Sequence, residues 1–199
     1  MDRREVILVR HGQSRMNKMH VFAGRNDTEL TSDGYKQLKK TSKFIKKRYG
    51  GEIIFSSPLK RALNSAKIIQ SKLKCPIRID KRLIETDFGE WEGKSPETLS
   101  KLQEWEVYSK DPFHFTFPKG ESPQDVKKRI LDFKFQILND QTWNRAVIVS
   151  HYTPLVFYIL DIFGNTNNFK APFKLTHGGV TVVEYRDSIE YIRCLNYLP

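Results

Sequence analysis

Four short polar clusters punctuate the chain: Arg10-His11-Gly12, Ser56-Ser57-Pro58-Leu59-Lys60-Arg61, Arg82-Leu83-Ile84-Glu85 and Ser150-His151. Between them they hold two imidazoles, two or three guanidiniums and a carboxylate, a set that suits a dianionic phosphate. Guanidinium forks bind phosphate oxygens bidentately, and amides at helix starts add donors. With the phosphate held, a neutral imidazole can attack phosphorus to give a phosphohistidine while an acid, here Glu85, protonates the departing oxygen. No metal ion or cofactor is required, because Arg10, Arg61 and the second histidine stabilise charge on the transferring group.

Other chemistries fit less well. Gly89-Glu90-Trp91-Glu92-Gly93-Lys94-Ser95 imitates a phosphate-binding loop, but three residues separate the glycines where four are needed. His11 and His151 lack helical spacing or neighbouring carboxylates, so they do not read as zinc ligands. No Gly-x-Ser-x-Gly elbow offers a serine nucleophile. His20 and His114 are assigned to a substrate loop or the surface, and His177 to a structural role beside Gly178-Gly179.

Each cluster follows an apolar run, which is what makes the set coherent. Strands are expected near 5–9, 53–56, 77–79 and 146–150. Helices are expected near 32–49, 58–73, 96–109, 123–138 and 154–163. This alternation predicts an α/β three-layer sandwich, a mostly parallel sheet flanked by helices on both faces. Residues 182–185 and 189–193, joined through Asp187-Ser188, read as a hairpin adding an antiparallel edge strand. In such sheets ligands bind outside the carboxyl ends of the strands, where all four clusters lie. Ser57-Pro58, Ser95-Pro96, Ser122-Pro123 and Thr153-Pro154 each read as a hydroxyl N-cap before a proline at the first helical position. Asp125 adds a capping-box partner for Ser122.

The totals bound the rest. With 199 residues, 39% hydrophobic and 12% aromatic, the chain fits one domain, with a cap-like segment around 92–121. The aromatic stretch 105–120 reads equally as a cover over the site or as a satellite hydrophobic cluster. Apolar runs are short, so a soluble cytoplasmic protein without membrane contact is expected. Cys75 and Cys194 lie far apart, with no metal or disulfide pattern, and read as reduced thiols. The net charge of +11 is partly local: seven Lys/Arg and no Asp/Glu lie between Lys36 and Arg48. That face reads mainly as solvated surface on a helix whose apolar stripe is Tyr35, Leu38, Ile45 and Tyr49. It leaves a non-catalytic module binding RNA or a phosphorylated partner as an alternative.

The motifs also resemble a known family, the phosphoglycerate mutase-like branch of the histidine phosphatase superfamily. LVRHGQSRMN, FAGRNDTELTSDG, IIFSSPLKRALNSA, LIETDFGEWEG, PKGES and VIVSH occur in the family's order across nearly the whole chain. The resemblance implies His11 as nucleophile, Arg10, Arg61 and His151 as the phosphate pocket, and Glu85 as proton donor. It further implies that Asn17 contacts the phosphoryl group, that Gly24 lets loop backbone approach the substrate, and that Ser14 belongs to the pocket. The family often has glutamine at Ala23, glycine at Lys119 and Gly-Gly at Tyr152-Thr153, so Tyr152 is expected to narrow the pocket or stack on a substrate. Glu85 lacks the arginine that usually follows the acid in mutases, and the chain is short. The expected reaction is therefore hydrolysis of a phosphorylated small molecule, with a bisphosphoglycerate-primed mutase as the alternative. No nucleic acid is expected as partner, and a homodimer is left open.

Overall fold

The computed structural model describes residues 3–164, 171–187 and 189–199. The expected join at Ser188 lies outside them. Six strands form one sheet in the order β3-β2-β4-β1-β5-β6. These are β1 (Arg4–Arg10), β2 (Ile53–Ser56), β3 (Ile77–Ile79), β4 (Arg145–Ser150), β5 (Val180–Arg186) and β6 (Ile189–Tyr197). The first four run parallel, β5 pairs antiparallel to β1, and β6 pairs antiparallel to β5. The architecture is the expected α/β sandwich.

Two-residue periodicity sends alternate side chains of each central strand to opposite faces. Val6, Leu8, Ile53, Phe55, Ala146 and Ile148 pack with α6 (Pro123–Asn139) and α7 (Tyr152–Ile162). Ile7, Val9, Ile54, Val147 and Val149 pack with α2 (Ser32–Arg48) and α3 (Lys60–Leu73). Burial on both faces explains why these strands read as continuous apolar runs. Of the stripe expected on α2, Leu38 and Ile45 are fully buried, whereas Tyr35 is 39% exposed.

The hydroxyl-proline pairs divide evenly. Ser95 caps α4 (Pro96–Leu99), and Ser122 caps α6 in the expected capping box. Ser57-Pro58 and Thr153-Pro154 do not start helices: α3 begins at Lys60 and α7 at Tyr152. The helix expected over 96–109 is broken, with α5 (Gln103–Lys110) starting anew after Leu102. The break lets Leu99 bury completely in a cluster with Trp91, Phe115 and Phe117, against which Phe22, Phe88, Trp105 and Tyr108 pack. The aromatic stretch thus contributes to a third hydrophobic cluster, separate from the two on the faces of the sheet. Among the described residues no helix is long and apolar enough to cross a membrane.

Candidate active site

β1 and β4 are neighbours, with Arg10 opposite Ser150, so the next residues, His11 and His151, leave the sheet side by side. Their ring centroids are 4.9 Å apart. Beyond this point the chain from β1 turns to the α2 face and the chain from β4 to the α7 face. The divergence opens the crevice expected at a topological switch point.

His11 is buried, and its Nδ1 lies 2.7 Å from the Gly12 carbonyl oxygen. A carbonyl only accepts, so Nδ1 carries the proton and Nε2 keeps its lone pair. Burial, then Arg61, Arg10 and His177, push the His11 pKa well below its ordinary value, which keeps the ring neutral. His151 is likewise held neutral by burial and by Arg61 and His11. Its Nε2 is 2.7 Å from Ser57 Oγ, and its buried Nδ1 has no partner. The Ser57 hydroxyl, read from sequence as a helix cap, instead fixes this histidine.

Arg10 and Arg61 are held by carbonyls. Arg10 Nη1 donates to Leu175 O at 2.6 Å, with its guanidinium 5.2 Å from the centre of the Tyr152 ring. Arg61 Nη1 donates to Asn26 O at 2.8 Å and Nη2 to Gly24 O at 2.5 Å. The Nε of each is buried and unpartnered. Burial lowers both pKa values from the ordinary arginine range. Both guanidiniums feel the charge of Glu85, which lines the same cavity, yet among the described residues neither makes a carboxylate ion pair, so donors remain to receive a further anion.

Glu85 completes the set. Its Oε1 accepts the Thr86 amide at 2.9 Å and its Oε2 the Tyr152 amide at 3.2 Å, so the carboxyl is fixed between the acid loop and the start of α7. Glu85, Arg10, His11, Arg61, Asn17 and Gly24 all line one cavity of about 240 Å³, together with His20, Tyr152 and Thr153. Ser14 does not line it. Its buried hydroxyl accepts the Asn17 amide at 3.3 Å, capping the short helix α1 (Arg15–Lys18), while Asn17 Oδ1 accepts from the Ser14 amide and hydroxyl. Ser14 therefore orients Asn17; the fully buried His151 is likewise absent from the cavity lining, its ring centroid 4.9 Å from that of His11.

Two glycines are required by close approach. A Cβ on Gly12 would lie 2.3 Å from Leu38 Cδ2 and 2.7 Å from Gly34 O, where the chain leaving β1 is pressed against α2. Gly24 has φ +51°, and a Cβ there would lie 1.9 Å from Glu92 Oε1. That packing presents the Gly24 carbonyl to Arg61.

His20 lies in the cavity wall, consistent with a substrate loop, and His114 is exposed and paired with Asp111 at 2.7 Å. His177 is more than a turn residue. Its ring centroid is 5.4 Å from that of His11, on a loop whose Gly178 amide donates to Arg10 O at 2.9 Å and whose Leu175 carbonyl holds Arg10. Sequence reasoning missed this loop as a support for Arg10 and His11, because only the Gly-Gly pair marked it. Among the described residues no three His, Cys, Asp or Glu side chains converge as metal ligands would.

Comparison with known proteins identifies the family. The family model described as histidine phosphatase superfamily (branch 1) matches residues 6–197. Phosphoserine phosphatase 1 of Hydrogenobacter thermophilus is 30% identical over 154 residues, covering 76% of this chain and 72% of the relative. Bifunctional protein Rv2228c of Mycobacterium tuberculosis is 27% identical over 193 residues, covering 96% of this chain but 53% of the relative. The chain thus spans about half the length of that relative. Among solved structures, the alpha-ribazole phosphatase of Shigella flexneri superposes with a TM-score of 0.88 at 23% identity, over 97% of this chain and 96% of that one. By the family match over nearly its whole length, the chain belongs to the histidine phosphatase superfamily, branch 1.

Proposed function

We propose that the protein is a metal-independent phosphatase that hydrolyses phosphomonoesters of small metabolites through a phosphohistidine at His11. The observation that carries this reading is the buried, neutral His11, with its Nε2 lone pair free, in one cavity with Glu85 and two guanidiniums whose hydrogen bonds go to backbone carbonyls. Phosphatase relatives support the hydrolytic direction.

In the first step His11 Nε2 forms a bond to phosphorus as the ester oxygen leaves, and Glu85 gives that oxygen its proton. Arg10, Arg61 and His151 stabilise the charge on the equatorial oxygens. In the second step the Glu85 carboxylate takes a proton from water, whose oxygen bonds to phosphorus as the bond to Nε2 breaks. Inorganic phosphate leaves and the neutral imidazole returns. The hydrogen bond from Nδ1 to Gly12 O holds the ring in one tautomer through both steps.

Incubation with 3-phosphoglycerate and catalytic bisphosphoglycerate separates this reading from a mutase. Free phosphate should outpace 2-phosphoglycerate, with and without EDTA. Faster formation of 2-phosphoglycerate refutes the hydrolase, and loss of turnover in EDTA refutes metal independence. Inertness toward p-nitrophenyl phosphate across about pH 5–8, together with salt-sensitive RNA binding, would favour the non-catalytic module.

A further inference from the structure

The cavity has two chemically different ends. Arg10, His11, Asn17, Arg61 and Glu85 form the phosphate floor, whereas Val21, Phe22, Phe88, Pro96 and Tyr152 form an apolar wall. The wall is rigid. Phe22 meets Phe88 edge-on at 5.0 Å and Trp91 at 5.7 Å, and Phe88 meets Phe117 at 4.8 Å, so the rings facing the cavity are backed by the aromatic core.

The wall also lacks a spare cation. Arg25, on the loop that carries Phe22 and Gly24, is committed to Asp87 at 3.1 Å and Glu121 at 2.9 Å. Arg10 and Arg61 are taken by the phosphoryl group, which leaves the uncharged Tyr152 and Thr153 and the imidazole of His20 as polar contacts for the rest of a substrate. A carboxylate there would lose water without gaining an ion pair, which is costly. A flat ring would instead stack or sit edge-on against aromatic faces already in place. At about 240 Å³ the space suits a small group.

Resting on the phosphatase reading, we infer that the preferred substrates are phosphomonoesters whose leaving group is uncharged and carries an aromatic ring. Tyr152 is the residue that sets this preference. Its ring centre lies 5.2 Å from the Arg10 guanidinium, and the residue lines the cavity with Phe22, Phe88 and Pro96. This preference differs from that named for the phosphoserine phosphatase relative, whose leaving group is charged.

The test compares kcat/KM for 3-phenylpropyl phosphate, n-propyl phosphate and phosphoserine. The first two release alcohols of nearly equal acidity, so their ratio reads how the wall receives the ring. A preference of about 10- to 100-fold for the phenylpropyl ester over the propyl ester is expected, with phosphoserine the poorest. Tyr152→Ala should lower that ratio by roughly 3- to 10-fold, and Tyr152→Phe should retain it. A residue that only steadies Arg10 would slow both alkyl esters alike and leave the ratio unchanged, which would overturn the role of Tyr152. A wild-type ratio near one, or phosphoserine turned over as well as the phenylpropyl ester, would overturn the substrate class. Absence of phosphate release from all three would sink the phosphatase reading itself.

Discussion

Gly24→Ala is expected to cost stability through one identifiable partner, Glu92. The left-handed backbone at φ +51° penalises a Cβ by about 1–2 kcal/mol. The larger cost is steric. Glu92 Oε1, Cδ and Cγ would lie 1.9, 2.5 and 2.9 Å from the new carbon, so the whole side chain must leave. Its carboxylate accepts the amides of Arg25 at 2.6 Å, Asn26 at 3.1 Å and Phe88 at 3.3 Å, tying the Gly24 loop to the aromatic core. Losing these three charge-assisted bonds costs at least the roughly 1.5–3 kcal/mol net of one of them. The sum is at least about 2.5–5 kcal/mol, or roughly 5–20 °C in Tm for a chain of this size. Because the displaced carboxylate accounts for most of the cost, Glu92→Ala added to Gly24→Ala should destabilise little further. Urea unfolding of the two single variants and the double variant measures this coupling. If the two costs add in full, the close approach of Gly24 to Glu92 is not what the glycine protects.

Two further predictions concern protons. Glu85→Gln should slow esters of poor leaving groups much more than p-nitrophenyl phosphate, because an activated phenolate leaves with little protonation; equal slowing would show that Glu85 is not the acid. Burial, reinforced by Arg10 and Arg61, pushes the His177 pKa down to about 3, and the His11 and His151 pKa values are lowered in the same sense. The unfolded chain, whose histidines titrate near 6.5, then binds protons that the folded chain refuses. This stabilisation is complete above about pH 6.5 and is lost as pH falls toward the folded values. The urea midpoint should drop between about pH 7.5 and 5, and less steeply in His177→Asn; a midpoint that holds or rises on acidification would contradict the buried neutral rings.

Much of this site was legible because its residues sit at strand ends, where an apolar run stops at a charged or titratable side chain. The register of β1 with β4 turns that pattern into two imidazoles 4.9 Å apart. Errors fell where local signals serve tertiary ends. Ser57 reads as a cap, but its hydroxyl contacts His151; Thr153-Pro154 reads as a helix start, but α7 begins one residue after His151 and gives its Tyr152 amide to Glu85. The break after α4 was hidden because burial of Leu99 among distant aromatics outweighs helix propensity. The wall of Phe22, Phe88 and Pro96 comes from separate segments that no single motif joins. The support from Leu175, His177 and Gly178 had no local signature beyond two glycines, since its partners are 165 to 168 positions away in the chain.

The central claim is that the free Nε2 of His11 becomes covalently bonded to phosphorus during turnover. Rapid quench into alkali during hydrolysis of p-nitrophenyl phosphate, followed by peptide mass spectrometry, tests it directly. The account predicts one acid-labile, alkali-stable phosphoryl group on His11, absent from His11→Ala, which should also lose several orders of magnitude in rate. Phosphate release by wild type at full rate with no phosphoryl group on His11, or undiminished turnover by His11→Ala, would contradict it.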